Sequence, residues 1–392
     1  MKKIAIIGGG IGGLTTAIAL QQKGFEVKVY EAAPEIREVG AGLWVAPNAL
    51  NIFERLGIAE AIKAAGNALK TSYLGDHKGN VLTKVDFSKI IAKYDNGTIA
   101  IHRGKLQSIL LENVKPDTVE THKRLKNIEN TSRNNRDRNS QEGSIQLKFD
   151  DETVASCDIL IGADGIHSVV RKHIFGEIPL RYSGQTCWRG IAKMKLDNPK
   201  EAGELWGTKG GLRSSYSQVS DNEVYWYITA KAQQGTKVGS NEVKSYLLNL
   251  VSEFQSDIKN VLEKTDNQAI MQNDLFDIKP IPLWYKENIV LLGDAAHATT
   301  PNLGQGACQA IEDAYFLADC LSKHTPSISD AFSTFQNKRK PKADFVTNTS
   351  FQMGQLINMG GALGYRLRNL LLKIVPKSIA EKQIDYLFKL DY

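Results

Sequence analysis

Cysteine is scarce in this chain: Cys157, Cys187, Cys308 and Cys320 are its four among 392 residues, with no CxxC pair and no cysteine–histidine metal spacing. A disulfide-stapled scaffold is excluded, no bound metal is expected, and a reduced, cytoplasmic setting fits best. Long hydrophobic runs are also missing. No stretch reaches the roughly 18 apolar residues of a membrane span. Lys2 and Lys3 precede an apolar run as in a signal peptide, but five glycines between Gly8 and Gly13 interrupt it and no small-residue cleavage site follows. Internal repeats and low-complexity tracts are absent. Charge of one sign does not gather either: 49 basic and 43 acidic residues leave a scattered +6. A solvated surface explains that balance better than a nucleic-acid partner. The single polar concentration, residues 123–143, has no interleaved aromatic residue. It reads as a hairpin connection with an exposed tip rather than a nucleic-acid arm.

What the chain does contain is an organised N-terminus, and its length suggests about two or three structural units. Residues 3–7 (KIAII) are a continuous apolar run, the pattern of a strand buried on both faces of a parallel sheet. A glycine loop follows, then a helical pattern through Leu14, Ala17, Ile18 and Leu20 that Gly24 ends. Val27 and Val29 begin a second strand that finishes at Glu31, completing one βαβ unit. Gly8, Gly10 and Gly13 form GxGxxG at the strand–helix junction. The three glycines serve a tight turn, close approach of backbone to a pyrophosphate, and close helix–strand packing. The helix N-terminus offers free N–H groups to phosphates, and Glu31, 18 residues beyond Gly13, is placed to accept from a ribose hydroxyl. Strand, helix and terminal acid together argue against a ligand-free glycine turn. They indicate a dinucleotide and leave NAD or FAD open.

Further along, residues 71–97 show short alternations that match βαβ poorly, a helix is expected over about 103–114, and strands over 145–161. Residues 181–274 are strand-like and aromatic, with one helix near 241–255. A buried strand at 288–292 (NIVLL) precedes a second glycine loop and a helix over about 306–321; residues 328–392 read as helical. Within that last part, YRLRNLLLKIVPK (365–377) is basic and amphipathic. Packing of its apolar face against the main body is expected, and membrane contact is not.

Two later segments decide between the dinucleotides. Residues 161–171 read IGADGIHSVVR and residues 290–314 read VLLGDAAHATTPNLGQGACQAIEDA. With the GxGxxG loop they resemble, in order and across nearly the whole chain, the three fingerprints of the flavoprotein aromatic hydroxylases, or group A flavoprotein monooxygenases. Para-hydroxybenzoate, salicylate and urate hydroxylases and zeaxanthin epoxidase belong to that group. The resemblance implies an α/β fold: a Rossmann-like FAD-binding domain of the GR2 type with an inserted β-sheet substrate domain and C-terminal helices. The expected division is 1–72, 98–180 and 275–327 for the FAD domain, 73–97 and 181–274 for the substrate domain, and 328–392 for the helical segment.

The family's site residues carry over position by position. Asp294 matches the aspartate that holds a ribityl hydroxyl, and a carboxylate there emerges at a strand's end, where ligands of open α/β sheets bind. Pro301, Gly304 and Gly306 match the loop facing the flavin ring, leading into a helix N-terminus that favours reduced, anionic flavin. Arg103 matches the arginine that reaches the FAD phosphates, with Gln107 one turn later on the same face. Gly12, Ala32, Leu125, Gln305 and Ala307 complete the implied FAD contacts. For Asp164, with Gly165 and the closing Arg171, a cofactor contact and a purely structural tie stand equally. His297 is expected to be a packed residue beside the flavin loop rather than a base.

The implied activity reduces FAD with NADH or NADPH, forms a flavin C4a-hydroperoxide with O2, and hydroxylates or epoxidises a small organic substrate, without a protein nucleophile. A single GxGxxG predicts no separate nicotinamide domain. Substrate contacts are expected from the insert, from Arg189, Arg213, Tyr216, Tyr225 and Tyr227, although core packing competes for each aromatic residue and a surface position for Arg213. Tyr225 and Tyr227 share one strand face and Trp226 takes the other. A monomer or homodimer is expected. Two rivals remain: a halogenase or reductase on the same scaffold, although YWYITAK (225–231) lacks the halogenase WxWxIP motif, and a non-catalytic FAD- or lipid-binding carrier.

Overall fold

A computed structural model describes residues 2–36, 41–130, 145–324, 327–374 and 376–392. Its centre is a six-stranded sheet built as the apolar runs require. Lys3–Ile7 lies in the middle, parallel to Glu26–Tyr30 on one side and to Ile159–Gly162 on the other. Val119–Glu120 and Ile289–Leu291 extend it, and Tyr285–Lys286 closes one edge antiparallel. The inner strands are buried on both faces, which is why they read as unbroken hydrophobic runs. Helices Ile11–Gln22 and Gly306–Lys323 pack together over this sheet. The two strand–glycine–helix units therefore stand side by side although nearly 300 residues separate them.

A seven-stranded sheet forms the second layer. Its order is Met271–Ile278, Leu180–Lys193, Glu223–Lys231, Arg213–Ser220, Glu201–Trp206, Thr71–Asp76, Val81–Asp86, antiparallel except for the parallel pair 201–206 with 71–76. The alternations in 71–97 thus resolve into a hairpin of this sheet followed by a helix, Phe87–Tyr94, that the polar spacing had hidden. Strands Leu125–Asn130 and Ile145–Phe149 pair antiparallel as the two arms expected around the polar stretch, whose tip lies outside the described residues. Behind the big sheet, helices Val243–Leu250 and Ile258–Glu263 cover Trp188, Trp226 and Ile228 in a separate core.

Three helices complete the chain: Ile328–Ile357, Gly361–Ile374 and Lys377–Phe388. The first runs along Gly306–Lys323 and buries Phe332, Phe335 and Arg339. For Gly361–Ile374 the expected packing is reversed. Arg368 is wholly buried, while Leu363, Leu367, Leu370, Leu371 and Ile374 face outward. Among the described residues, no helix is long and apolar enough to cross a membrane.

Candidate functional site: one cleft between two glycine loops and a sheet

A cleft of about 880 Å³ runs between the two sheets and is lined from both glycine loops. That volume falls within the usual range of ligand pockets. The first loop's side contributes Gly8, Gly10, Gly12, Glu31, Ala32 and Leu125; the second loop's side Asp164, Gly165, Asp294, Pro301, Gly304, Gly306 and Ala307; the large sheet Arg189, Glu204, Trp206, Arg213, Tyr225 and Tyr227; and Arg103 lies near Asp294, Arg189 and Tyr225.

The GxGxxG glycines divide their work as the spacing implies. Gly8 turns with φ +105°, and an added Cβ would sit 2.4 Å from the Ala163 carbonyl oxygen. A Cβ on Gly13 would lie 1.9 Å from the Gly8 carbonyl oxygen, so Gly13 sets helix–strand contact from behind the loop and does not line the cleft. Gly10 has nothing within 4 Å of the equivalent position, so its backbone stands bare to the open space. Glu31 grips the loop: its carboxylate accepts from the Gly9 amide at 2.6 Å and the Ala33 amide at 2.7 Å. Two lone-pair directions are left for a ligand hydroxyl. Gln107 corrects the expected direct contact. Its amide donates to the Gly9 carbonyl at 2.8 Å from behind, so it positions the loop and is not part of the cleft wall.

Asp294 opens the short helix Asp294–His297 immediately after Ile289–Leu291. Burial raises its pKa, opposed by His297, Arg103 and Arg171. Burial lowers that of Arg103, opposed chiefly by Asp294. Among the described residues the Asp294 carboxylate accepts no hydrogen bond from the protein and the Arg103 guanidinium donates none to it, and both face the cleft. Both groups stand open to the cleft with hydrogen-bonding capacity that a ligand there can use.

Asp164 and Arg171 show the structural tie. The Asp164 carboxylate accepts from Ser168 Oγ at 2.5 Å and from the Val169 and Val170 amides at 2.7 and 3.1 Å, capping helix Val169–Phe175. Arg171 is buried and donates to the main-chain oxygens of Ile166 and Ala295, bolting this loop to the Asp294 helix.

The second glycine loop leads into helix Gly306–Lys323, whose N-cap, Gln305, makes no capping side-chain bond. Gln305 is a further correction: it is buried against Asn48 and Gln309 and does not reach the cleft. Helix Ile11–Gln22 likewise starts without a side-chain cap. Two helix N-termini with unused amides thus open on one cavity, an arrangement suited to a ligand carrying negative charge near both ends.

On the large sheet, strand alternation sorts the candidates. Arg213, Ser215 and Ser217 face the cleft, while Tyr216 points the other way and packs with Tyr73, Leu205 and Trp226. Tyr216 is therefore not a pocket residue, because it is one residue out of phase with its neighbours. Arg213 is buried, not a surface arginine. It donates to Asn302 Oδ1 at 2.7 Å and Thr229 Oγ1 at 3.2 Å, lies 3.5 Å from Glu204, and sits over the Tyr227 ring. Burial opposes its charge, and Glu204 and Tyr227 outweigh that and keep it protonated. Tyr227 and Trp206 both donate to Glu204. Glu204 and Asn302 are residues the sequence reading missed; nothing in the local pattern marks them, since their importance comes from meeting Arg213.

A larger omission lies behind the second loop. Asp313 accepts from the Gly293 amide at 3.0 Å, lies 2.6 Å from His297 Nε2, and accepts from Arg339 Nε at 2.8 Å. Its neighbour Glu312 accepts from Arg339, Lys342, Asn48, Gln309 and the Tyr392 hydroxyl. Both carboxylates are fully buried. Burial would raise the Asp313 pKa, but His297, Arg339 and the Gly293 amide overcome it and hold the carboxyl at about 2. His297 is thus a packed partner of this network, stacked on Trp284.

Comparison with known proteins gives the same reading. The family model described as an FAD binding domain matches residues 1–350. The chain is 34% identical over 373 residues to aurachin C monooxygenase/isomerase of Stigmatella aurantiaca, covering 95% of this chain and 94% of that one. It is 30% identical over 393 residues to 2-heptyl-3-hydroxy-4(1H)-quinolone synthase of Pseudomonas aeruginosa, covering 98% and 97%. Among solved structures, Klebsiella pneumoniae HpxO complexed with FAD and uric acid superposes with a TM-score of 0.87 at 25% identity, over 98% of this chain and 96% of that one. The resemblance carried by the three motifs is borne out: the chain belongs to the FAD-binding domain family of flavoprotein monooxygenases and is an FAD-dependent enzyme.

Proposed function

We propose that this enzyme consumes NADH or NADPH and O2 to insert one oxygen atom into a small planar substrate, an aromatic or nitrogen-heterocyclic ring or another electron-rich double bond. The observation that carries the reading is continuity: one cleft joins the dinucleotide loop, the second glycine loop and the large sheet. Bound FAD would supply the reduction by nicotinamide and the activation of O2. In this reading the Gly8–Gly12 loop, Glu31 and Arg103 hold its adenosine and phosphates, and Asp294 its ribityl chain. The amides of Gly306 and Ala307 face the flavin ring, where a helix N-terminus stabilises negative charge. The fit is good, because the cleft-facing Asp294 and Arg103, without protein hydrogen-bond partners among the described residues, and the bare backbone of Gly10 are features such a ligand would engage.

Substrate would then lie against the large sheet. Tyr225 and Tyr227, with ring centroids 6.1 Å apart, offer ring faces to a planar substrate, the Tyr227 hydroxyl being held by Glu204. Arg213 presents fixed positive charge next to the Pro301–Gly304 loop through Asn302, so it attracts an electron-rich or anionic heteroatom and orients it toward the flavin. Uric acid, bound by the similar Klebsiella pneumoniae HpxO, and the 4-quinolone that names the similar Pseudomonas aeruginosa synthase are both fused nitrogen heterocycles, which supports that ring class. The test is a screen of such compounds for stimulation of NAD(P)H oxidation, with isotopically labelled O2 and separate measurement of hydrogen peroxide. Label in one product supports the reading. Oxidation that yields only peroxide with every compound, or product oxygen derived from water, refutes it.

A further inference from the structure

Helix Gly361–Ile374 is amphipathic in the wrong sense for a helix packed on a globular body. Leu363, Leu367, Leu370, Leu371 and Ile374 recur at three- and four-residue intervals, forming one stripe. That stripe faces solvent, each side chain being 39–82% exposed. The inward side carries Arg368 instead. Its guanidinium donates to the Gly207 carbonyl at 2.8 Å and lies 5.1 Å over the Trp206 ring. Turning the helix to hide its leucines would break those bonds, so the exposed stripe is the locked state.

We propose that this stripe docks the enzyme on an anionic lipid surface. The chemistry at its edge decides the occupant. Arg366 and Lys373, seven residues apart on the same flank and both exposed, border the leucines, and the helix has no acidic residue. Apolar side chains rimmed by cations are what an interfacial helix presents to acyl chains and anionic headgroups. A second copy of the chain fits less well. Fourteen residues make a helix about 21 Å long, and a stripe roughly 10 Å wide offers on the order of 200 Å², against about 800 Å² per partner in a stable protein interface. Pairing two such stripes would also bring like charges together.

The location gives the docking a consequence. Gly361–Ile374 packs against strand Val81–Asp86, whose Thr83 and Val85 line the cleft. Arg368 touches Trp206 and Gly207, and Trp206 lines the same cleft. A docked bilayer would therefore lie beside the large-sheet side of the cleft. The docking itself does not depend on the oxygenase reading.

The test is flotation of the FAD-loaded enzyme with vesicles of phosphatidylcholine plus phosphatidylglycerol, and with phosphatidylcholine alone. Wild type should float with the anionic vesicles, several-fold less with the neutral ones, and less at high salt. Each leucine moved into an apolar phase is worth roughly a factor of ten, so Leu367→Ser with Leu370→Ser and Ile374→Ser should weaken binding on the order of 100-fold or more. All three positions are exposed, so flavin absorbance and thermal stability should be unchanged, which separates lost docking from lost folding. Arg366→Glu with Lys373→Glu should remove the preference for anionic vesicles. The proposal is overturned if wild type stays in solution, if the triple variant floats equally well, or if wild type is a dimer that the triple variant splits while neither binds vesicles.

Discussion

Replacing Arg339 by Met removes the cation shared by two fully buried carboxylates while roughly keeping side-chain length. Arg339 donates to Glu312 at 2.6 Å and Asp313 at 2.8 Å, with a further bond to Gln309 Oε1 at 2.7 Å. Glu312 retains Lys342 and Asn48, and Asp313 retains the Gly293 amide, but each loses its guanidinium in a site without water access. Breaking a buried ion pair from one side costs about 3–5 kcal/mol. At about 2.1 cal/mol/K per residue, 392 residues have an unfolding entropy near 0.8 kcal/mol/K, so the melting temperature should fall by about 4–6 °C. The pH dependence is a second readout. Asp313 is held at about 2 instead of 3.8, which corresponds to about 2 kcal/mol. A depressed carboxyl pKa contributes fully above the unfolded value and loses its contribution as pH falls through the folded one. The gap between wild type and Arg339→Met should therefore be widest above about pH 4 and narrow toward pH 2. Urea unfolding followed by circular dichroism, from neutral pH down to about pH 3, measures it. A melting shift below about 1 °C, or a gap that widens on acidification, would refute this account of the network.

Three further substitutions address the cleft. Gly13→Ala places a methyl group 1.9 Å from the Gly8 carbonyl oxygen; the strand–helix contact must open, and purified protein should lack flavin absorbance, whereas a fully yellow variant would contradict that packing role. Asp294→Ala removes a cleft-facing carboxylate that we assign to FAD; losing a charged hydrogen bond worth about 1.5–3 kcal/mol should weaken FAD retention roughly 10- to 100-fold, and ultrafiltration of the holoenzyme with full retention would sink the assignment. Arg213→Met should keep FAD but raise KM for substrate on the order of tenfold and increase peroxide release per NAD(P)H, while an unchanged KM and coupling ratio would leave Arg213 as a purely structural bolt between Glu204 and Asn302.

The two glycine loops that open on the cleft were readable in the linear chain because their requirements are local. A buried strand, a glycine that turns with positive φ, a bare glycine at an uncapped helix start and an acid ending the next strand lie within about thirty residues. Asp294 follows the same local logic. The supports did not show, because each joins segments far apart: Gln107 reaches Gly9 across 98 positions and Arg171 reaches Ala295 across 124. Glu312 and Asp313 look like ordinary helix-surface acids until Arg339, 26 residues beyond Asp313, comes to lie against them. Likewise, alternation established that Tyr225 and Tyr227 share a face, and only the packing of the sheet against the nucleotide layer assigned that face to the cleft and Tyr216 to the opposite core. Periodicity in 361–374 determined that an apolar stripe exists; its direction was decided by Arg368, whose buried bonds to Gly207 and contact with Trp206 claimed the inner side of the helix. A repeat in sequence specifies which side chains travel together, and tertiary contacts specify where they point.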